Sequence, residues 1–215
     1  MDPQQRFSEP TPGCLIVIAL SPAAMIRRVR VLLLENDDSY SWNVVDCLRS
    51  AGAEVRLIPG RAQAEVRGLI PEVDAVVIGP GPLDPRRAGL MESVELVLQS
   101  GLPTLGICLG HQAIGLAFGA KLIRAEPAHG RLSTIEFNQS RFFNQIAGAT
   151  SVMRYHSLTL TGIESPLRLT AVTEDGIAMA IEHESLPIAG LQFHPDSFAT
   201  PRGAEMVASF LRSAR

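Results

Sequence analysis

Residues 106–112, Gly-Ile-Cys-Leu-Gly-His-Gln, place Cys108 between two glycines at a predicted turn from strand to helix. The apolar run from Leu102 to Ile107 precedes this turn, and a helix-forming segment follows it. A strand that turns sharply into a helix holds its nucleophile in a strained backbone conformation, so the flanking positions must be small. A helix N-terminus and a nearby imidazolium both favour thiolate, which is the attacking species. The stretch therefore predicts a nucleophile elbow with Cys108 as the nucleophile.

A histidine and an acid follow a second strand. The alternating apolar segment Ile188 to Phe193 ends at His194, so the imidazole is predicted at the carboxyl end of a strand. Open parallel sheets bind their ligands at the carboxyl ends of their strands. Asp196 lies two residues on, and its carboxylate can turn back to accept the imidazole N–H. A lone His-Pro-Asp is more often a capped turn, but with the cysteine elbow it indicates a triad of nucleophile, base and acid.

The remaining periodicity predicts a single α/β domain. Strands alternate with helices as far as Ala120, which favours a parallel sheet with helices on both faces, and short strands and a final helix follow. The predicted strands are Val29–Leu34, Glu54–Ile58, Asp74–Ile78, Pro103–Ile107, Lys121–Arg124, Leu132–Phe137, Ser151–Tyr155, Arg168–Thr173, Ile177–Glu182 and Ile188–Phe193. The predicted helices are Tyr40–Ser50, Gly89–Gln99, Leu109–Phe118 and Gly203–Arg212. We expect one doubly wound, mostly parallel sheet with flanking helices and additional short antiparallel strands.

At these residues the chain resembles the class I glutamine amidotransferases, and among them the small subunits of anthranilate synthase and aminodeoxychorismate synthase. The resemblance extends from about Val29 to Leu211 and implies a flavodoxin-like fold. Besides the two motifs above, four segments match the family in order and spacing: Glu35–Asn43, Gly79–Pro85, His129–Arg131 and Tyr155–Leu158.

The resemblance implies roles for several of the matching positions. Cys108, His194 and Asp196 would be catalytic, and the backbone N–H groups of Gly81 and Leu109 would form the oxyanion hole. The implied glutamine-binding residues are Gly81, Pro82, Leu83, Gln112, Ser157 and Leu158. The chain itself would need no cofactor or metal, and magnesium is expected in the partner synthase.

Three positions depart from the family pattern. Asp196 stands where the family usually has glutamate, so its carboxylate reaches about 1.5 Å less far and the triad is expected to be looser, with glutaminase activity retained. Leu83 occupies a position that is often glycine. Asp37 replaces a residue that is usually aromatic, in a loop that family members present to their partner, which points to altered partner choice.

Composition fits one globular domain and excludes several classes of function. A net charge of −3 and a pI near 6.0 do not provide the excess of positive charge that proteins use to bind nucleic acid. Three cysteines without C-x-x-C spacing indicate neither a disulfide framework nor a zinc site.

Residues 1–25 are read as an extension ahead of the domain at 26–215. They are polar and proline-rich, with a seven-residue apolar run, Cys14 to Leu20, that is too short to cross a bilayer. A short signal peptide for export is the alternative, but Arg6 is the only cation ahead of the apolar run, so we interpret these residues as an unstructured extension or the result of an upstream start codon. We expect no membrane attachment. A thiolate enzyme fits the reducing cytoplasm.

The sequence thus predicts a glutaminase subunit that hydrolyses L-glutamine and delivers ammonia to a separate chorismate-utilising synthase. The chain has no room for a synthetase domain of its own at 215 residues, so the partner is expected to be another subunit. Two alternatives stay open: a glutaminase for a GMP or carbamoyl phosphate synthetase, and a glutamine-binding subunit whose triad Asp196 has disabled. The product of the partner, anthranilate, aminodeoxychorismate or a secondary metabolite, is not determined by these motifs.

Overall fold

A seven-stranded sheet forms the centre of the computed structural model, which describes residues 27–214. The strands are β1 (Val29–Glu35), β2 (Ala53–Pro59), β3 (Ala75–Ile78), β4 (Thr104–Ile107), β5 (Lys121–Arg124), β6 (Arg131–Ile135), β7 (Thr150–Arg154), β8 (Leu158–Thr161), β9 (Leu167–Val172), β10 (Ala178–His183) and β11 (Ile188–Leu191). The helices are α1 (Ser41–Ser50), α2 (Gln63–Leu69), α3 (Met91–Ser100), α4 (Leu109–Ala117) and α5 (Gly203–Arg212), with a short 3-10 helix at Ile70–Glu72.

The sheet order β2-β1-β3-β4-β11-β10-β9 joins a parallel part to an antiparallel edge. The first five strands in this order run parallel, while β10 and β9 pair antiparallel. Strand β11 reaches β4 from much later in the chain and pairs Leu191 with Ile107, so both strands end at the same edge. The chain segments that follow Ile107 and Leu191 are therefore brought side by side.

Helices cover both faces of the sheet. Helices α1 and α5 pack on one face, where Val45 and Phe210 join a core cluster with Leu33. Helices α2, α3 and α4 pack on the other face, where the core includes Val94, Ile114 and, from β1, Leu34. Burial on both faces explains why β3 and residues 31–34 of β1 are continuous apolar runs and not alternating ones. The predicted doubly wound α/β fold is confirmed.

Two small pairs of antiparallel strands lie outside the main sheet and hold a segment that lines the cleft described below. Strand β5 pairs with β8, and β6 pairs with β7. The segment between β7 and β8, residues 155–157, is held at both ends by these pairs. Strand β7 also contacts the main domain directly, because the His194 N–H donates to the Met153 carbonyl at 3.0 Å.

Several predicted boundaries and two elements differ from the structure. Helix α2 was not predicted, because Gln63–Leu69 is short, lacks a side-chain cap and contains only two buried apolar residues. Strand β8 was not predicted either, although Leu158–Thr161 alternates apolar and polar residues. The strand predicted at Leu132–Phe137 runs instead over Arg131–Ile135, since that is the stretch paired with β7. The predicted extension over residues 1–25 lies outside the described residues.

Close packing of α4 against the sheet depends on two glycines. A Cβ at Gly110 would lie 2.1 Å from the Ile78 carbonyl oxygen, and a Cβ at Gly106 would lie 2.5 Å from the Gly110 carbonyl carbon. Both neighbouring atoms are backbone, which has little freedom to move away. The glycines therefore let the first turn of α4 contact β3 and β4 without intervening side chains.

Gly110→Ala is expected to destabilise the protein by about 3 kcal/mol, because its methyl group overlaps the Ile78 carbonyl. The matched control is Gly68→Ala in α2, where nothing lies within 4 Å of the new Cβ. That change should stabilise the protein by about 0.5 kcal/mol through helix propensity. Urea unfolding of both variants measures the difference, and equal stabilities would contradict this account of the packing.

Candidate active site

Cys108 lies at the turn between β4 and α4 in a backbone conformation that is uncommon for a side chain other than glycine. Its φ is 51° and its ψ is −99°. Its N–H donates to the Leu191 carbonyl at 2.8 Å and its carbonyl accepts the Gln112 N–H at 3.1 Å, so both sides of the turn are anchored. Strain of this kind costs on the order of 1–3 kcal/mol and persists where the surroundings fix it. The thiol is 7% exposed and lies at the N-terminus of α4.

His194 follows β11 and meets Cys108 at the shared edge of the sheet. Its side chain is buried, and it lines the same cleft as Cys108, close enough for the two groups to interact. The Tyr155 ring packs edge-on against the imidazole with 5.1 Å between ring centroids. The backbone is held on both sides, since Thr200 Oγ1 donates to the His194 carbonyl at 2.8 Å. The imidazole is therefore fixed beside the sulfur.

The electrostatic surroundings favour the charged form of His194. Burial alone lowers the pKa of the imidazole, but the neighbouring Asp196 and Cys108 groups and their negative charge outweigh it, so the pKa is raised. A protonated imidazole next to a cysteine is the partner that stabilises thiolate. The pair is thus arranged for nucleophilic attack followed by proton donation.

Asp196 faces His194 at a longer distance than a regular hydrogen bond. Its Oδ1 atom is 3.5 Å from His194 Nδ1, whereas N–H···O bonds in proteins span about 2.7–3.2 Å. The carboxylate side chain is buried, and Oδ1 accepts no hydrogen bond of regular length from the described residues. Cys47 lies near it, and burial together with the Asp196 charge raises the pKa of that thiol to about 11. The acid acts on His194 mainly through charge at this distance.

The backbone of Gly81, one predicted oxyanion donor, packs against the side chain of Leu109, the other. A Cβ at Gly81 would meet the Asn36 carbonyl oxygen at 2.9 Å and Leu109 Cδ1 at 3.0 Å, so only glycine fits there. Within the described part of the chain, neither the Gly81 nor the Leu109 N–H donates a hydrogen bond to another residue. Both are therefore available to a bound oxygen atom near Cys108.

A cleft of about 370 Å³ opens above Cys108 and His194. It brings together the predicted positions Gly81, Pro82, Leu83, Gln112, Ser157 and Leu158. It is also lined by Asp38, Tyr40, His129, Tyr155 and His156, to which the sequence assigned no role. Tyr40 stacks on Tyr155 with ring centroids 5.7 Å apart, which closes one side of the cleft. Asp196 and Leu109 are not among the lining residues, and Asp196 lies behind His194.

Buried amides form a network beneath the cleft that the sequence reasoning missed. Gln112 Nε2 donates to the Leu158 carbonyl and to Gln192 Oε1, both at 3.2 Å. Gln192 Nε2 in turn donates to Cys108 Sγ at 3.7 Å. The available signal was a polar residue, Gln192, directly after the apolar strand β11 and directly before Phe193 and His194.

His156 supports the segment that carries Ser157 and Leu158. Burial, together with the positive charge of Arg154, lowers the pKa of His156 to about 4, so the ring is neutral at physiological pH. Its Nδ1 lies 2.9 Å from the Leu158 carbonyl, and Nε2 accepts from Arg154 Nε at 3.1 Å. These contacts require Nδ1 to carry the proton and donate to Leu158.

No metal cluster or membrane helix accompanies this site in the described residues. Between residues 27 and 214 no group of three or more His, Cys, Asp or Glu side chains is placed to hold a metal ion. None of the helices in the same range has the length and apolar character that a bilayer crossing requires.

Comparison with known proteins matches this arrangement to one family. The model of the family glutamine amidotransferase class-I matches residues 32–214. Anthranilate synthase component 2 of Azospirillum brasilense is 38% identical over 192 residues, which cover 86% of this chain and 96% of the relative. Aminodeoxychorismate synthase of Streptomyces griseus is 40% identical over 185 residues, but the chain spans only 26% of that protein.

Two solved structures share the fold. One is a putative GMP synthase subunit from Thermoplasma acidophilum, with a TM-score of 0.80, 20% identity and coverage of 87% of this chain and 94% of that one. The other is a glutamine amidotransferase from Thermotoga maritima, with a TM-score of 0.71, 16% identity and coverage of 87% and 98%.

Proposed function

The chain belongs to the glutamine amidotransferase class-I family and is a glutamine amidotransferase, and from that premise we propose that it is the glutaminase subunit of a chorismate-utilising synthase. Cys108, His194 and Asp196 hydrolyse L-glutamine to glutamate, and the ammonia passes to the synthase subunit. The reducing cytoplasm suits the thiolate that this reaction needs.

The observation that carries the proposal is the position of Cys108. Its sulfur lies at a strained turn and a helix N-terminus, in contact with a histidine whose pKa is raised. Two unused backbone N–H groups, those of Gly81 and Leu109, belong to the loop and the helix that flank it. Nucleophile, proton donor and oxyanion donors are the three parts that amide cleavage requires.

The reaction proceeds in two halves. The Cys108 thiolate attacks the side-chain amide carbon, a C–S bond forms, and the carbonyl oxygen takes the negative charge. The N–H groups of Gly81 and Leu109 stabilise that charge by on the order of 3 kcal/mol each. His194 then gives its proton to the amide nitrogen, the C–N bond breaks, and ammonia leaves behind a glutamyl thioester.

Water completes the cycle. His194, now neutral, takes a proton from a water molecule, whose oxygen attacks the thioester carbon. The C–S bond breaks, the new carboxyl group releases the second water proton to solvent, glutamate leaves, and thiolate and imidazolium are restored. Asp196 keeps the imidazole oriented and stabilises its positive charge throughout.

The cleft suits a small amino acid. Its volume of about 370 Å³ lies at the lower end of the range for small-molecule sites. Pro82 and Leu83 border it on one side and the Ser157–Leu158 segment on the other, with Gln112 at the base. These residues bind glutamine with its amide toward Cys108.

Exposed apolar side chains that line the cleft or lie close in sequence to its lining residues support a protein partner. Trp42 is 64% exposed and follows Tyr40, and Phe198 is 97% exposed and follows His194 by four residues. Leu83, at the cleft itself, is also exposed. Large exposed apolar groups of this kind are typical of surfaces that bind another protein. The partner would cover the cleft and receive ammonia, and the magnesium for its chemistry belongs to the partner.

The loop before α1 provides a charged feature on the same side. Asp37 has φ 58° and forms an ion pair with Arg61 at 2.5 Å, with both side chains exposed. A carboxylate in this loop favours a partner with a basic or polar group opposite it, which is how Asp37 would influence partner choice.

A second candidate function follows from the long Asp196 contact. At 3.5 Å from His194, the acid orients the imidazole less firmly than a hydrogen-bonded acid does. In this alternative the chain binds glutamine and its partner but does not turn glutamine over.

Ammonia and glutamate release from glutamine distinguishes the two. We expect the purified chain to release both in equal amounts, faster with an anthranilate or aminodeoxychorismate synthase subunit present, and Cys108→Ala to reduce release at least about a thousandfold. Trp42→Ala should keep the basal rate and weaken the stimulation, whereas Leu169→Ala on β9 should change neither. No release with any partner, restored by Asp196→Glu, would instead establish the binding subunit.

Asp196 variants measure how much the acid contributes. Asp196→Ala should lower kcat/KM for glutamine by about a hundredfold, because the imidazolium loses its counter-charge. Asp196→Glu should raise it by up to about tenfold, since one more methylene closes the 3.5 Å gap to His194. Steady-state glutamate release with partner present gives both values, and an unchanged rate in Asp196→Ala would exclude the acid from the triad.

A further inference from the structure

A line of hydrogen bonds connects the wall of the cleft to the Cys108 sulfur through two glutamine side chains. It begins at the Leu158 carbonyl, passes through Gln112 and Gln192, and ends at Sγ. Gln112 is almost fully buried and Gln192 has no exposed surface. A buried amide is costly unless its donors and acceptors are paired, so this arrangement is constrained.

The direction of every bond in this line follows from its first member. A carbonyl oxygen only accepts, so the Leu158 carbonyl requires Nε2 of Gln112 to face it. The second hydrogen of Nε2 then points to Gln192, which must offer Oε1. Nε2 of Gln192 is left to face the sulfur, as observed at 3.7 Å. Rotating either amide by 180° would place two donors or two acceptors in contact.

We propose that Gln192 activates the nucleophile by donating a hydrogen bond to the Cys108 sulfur while holding the Gln112 amide in one orientation. This inference rests on the proposed function, because it assigns Cys108 as the nucleophile. A donor at the sulfur favours thiolate over thiol. The same contact accompanies the sulfur through thiolate, tetrahedral intermediate and thioester, since Gln192 lies on the strand side and not in the cleft.

The second consequence concerns Gln112. Both of its N–H bonds are used within the protein, so its Oε1 atom, which accepts no hydrogen bond from a described residue, is the part that faces a ligand. Gln192 thereby makes Gln112 an acceptor toward the substrate. Releasing Gln112 from Gln192 would allow it to rotate and should weaken glutamine binding.

Other groups near the sulfur do not replace this contact. Among the described residues, His194 is the titratable group that interacts with the sulfur, with Asp196 behind it. Asp38, Tyr40, His129, Tyr155 and His156 line the same cleft. His194 acts as a charge that also gives up its proton during the reaction, whereas an amide keeps its hydrogens at every pH used by the enzyme. Gln192 therefore supplies a donor to the sulfur that does not titrate.

Two variants test the proposal through the pH dependence of Cys108 alkylation by iodoacetamide, followed on the Cys108 peptide by mass spectrometry. Gln192→Met keeps the side-chain volume and removes the donor, and its alkylation midpoint should rise by about one pH unit. Its kcat for glutamine should fall about tenfold at pH values below that midpoint. Its KM should rise a few-fold, because Gln112 loses its acceptor.

Gln112→Ala is the second variant, and it keeps the test decisive if Gln192→Met fails to fold. Gln112 does not contact the sulfur in this line, yet its removal frees the Gln192 amide and should raise the alkylation midpoint by about half a unit. The matched control is Thr170→Val on β9, which alters a fully buried hydroxyl without a partner among the described residues and should leave the midpoint unchanged.

The outcomes separate the two claims. Wild-type turnover with unchanged midpoints in both glutamine variants would overturn the role of Gln192 and leave the glutaminase intact. If the wild-type chain hydrolyses no glutamine with any partner, the proposed function is wrong, regardless of the alkylation midpoints of Cys108. If the alkylation midpoint of Cys108 shifts in Gln192→Met and Gln112→Ala, but not in Thr170→Val, the proposed role of Gln192 is supported.

Discussion

The close approach of the first turn of α4 to strands β3 and β4 is the constraint on which the site depends. Gly106 and Gly110 allow it, since a Cβ at Gly110 would overlap the Ile78 carbonyl at 2.1 Å. This contact holds Cys108 in its strained conformation with positive φ and points the helix N-terminus toward the thiol. A larger residue at either glycine would separate the helix from the sheet and move the sulfur away from His194.

Around that turn, sheet topology places the other groups. Strand β11 pairs with β4 although the two are far apart in sequence. This pairing places His194, which follows β11, beside Cys108, which follows β4. The β7 strand then contacts His194 through Met153, so the Tyr155–Leu158 segment forms the opposite wall. Burial makes each charge and hydrogen bond here stronger than it would be in water. The pKa of His194 is raised because this packing places Asp196 and Cys108 beside the imidazole, although burial itself lowers the pKa.

Apolar runs and turn residues predicted the main sheet and the meeting of Cys108 with His194, because they carry those features locally. The glutamine-binding positions of the cleft came from the resemblance to the family. Helix α2 was not predicted, because it is stabilised by packing against α3 and its own sequence has only a weak apolar periodicity. The 3.5 Å separation of Asp196 from His194 depends on backbone placement that no motif encodes. No role was predicted for Gln192, because its contacts form only when the end of β11, helix α4 and the Leu158 carbonyl come together in the folded protein.

Trapping the covalent intermediate tests the central claim most directly. The protein, with its synthase partner, would be mixed with glutamine, quenched in acid within the first turnover, and digested for mass spectrometry. The account predicts that the Cys108 peptide gains the mass of one glutamyl group, and that the adduct is absent from the Cys47 peptide. Turnover of glutamine without any adduct on Cys108, or with an adduct on another residue, would contradict it.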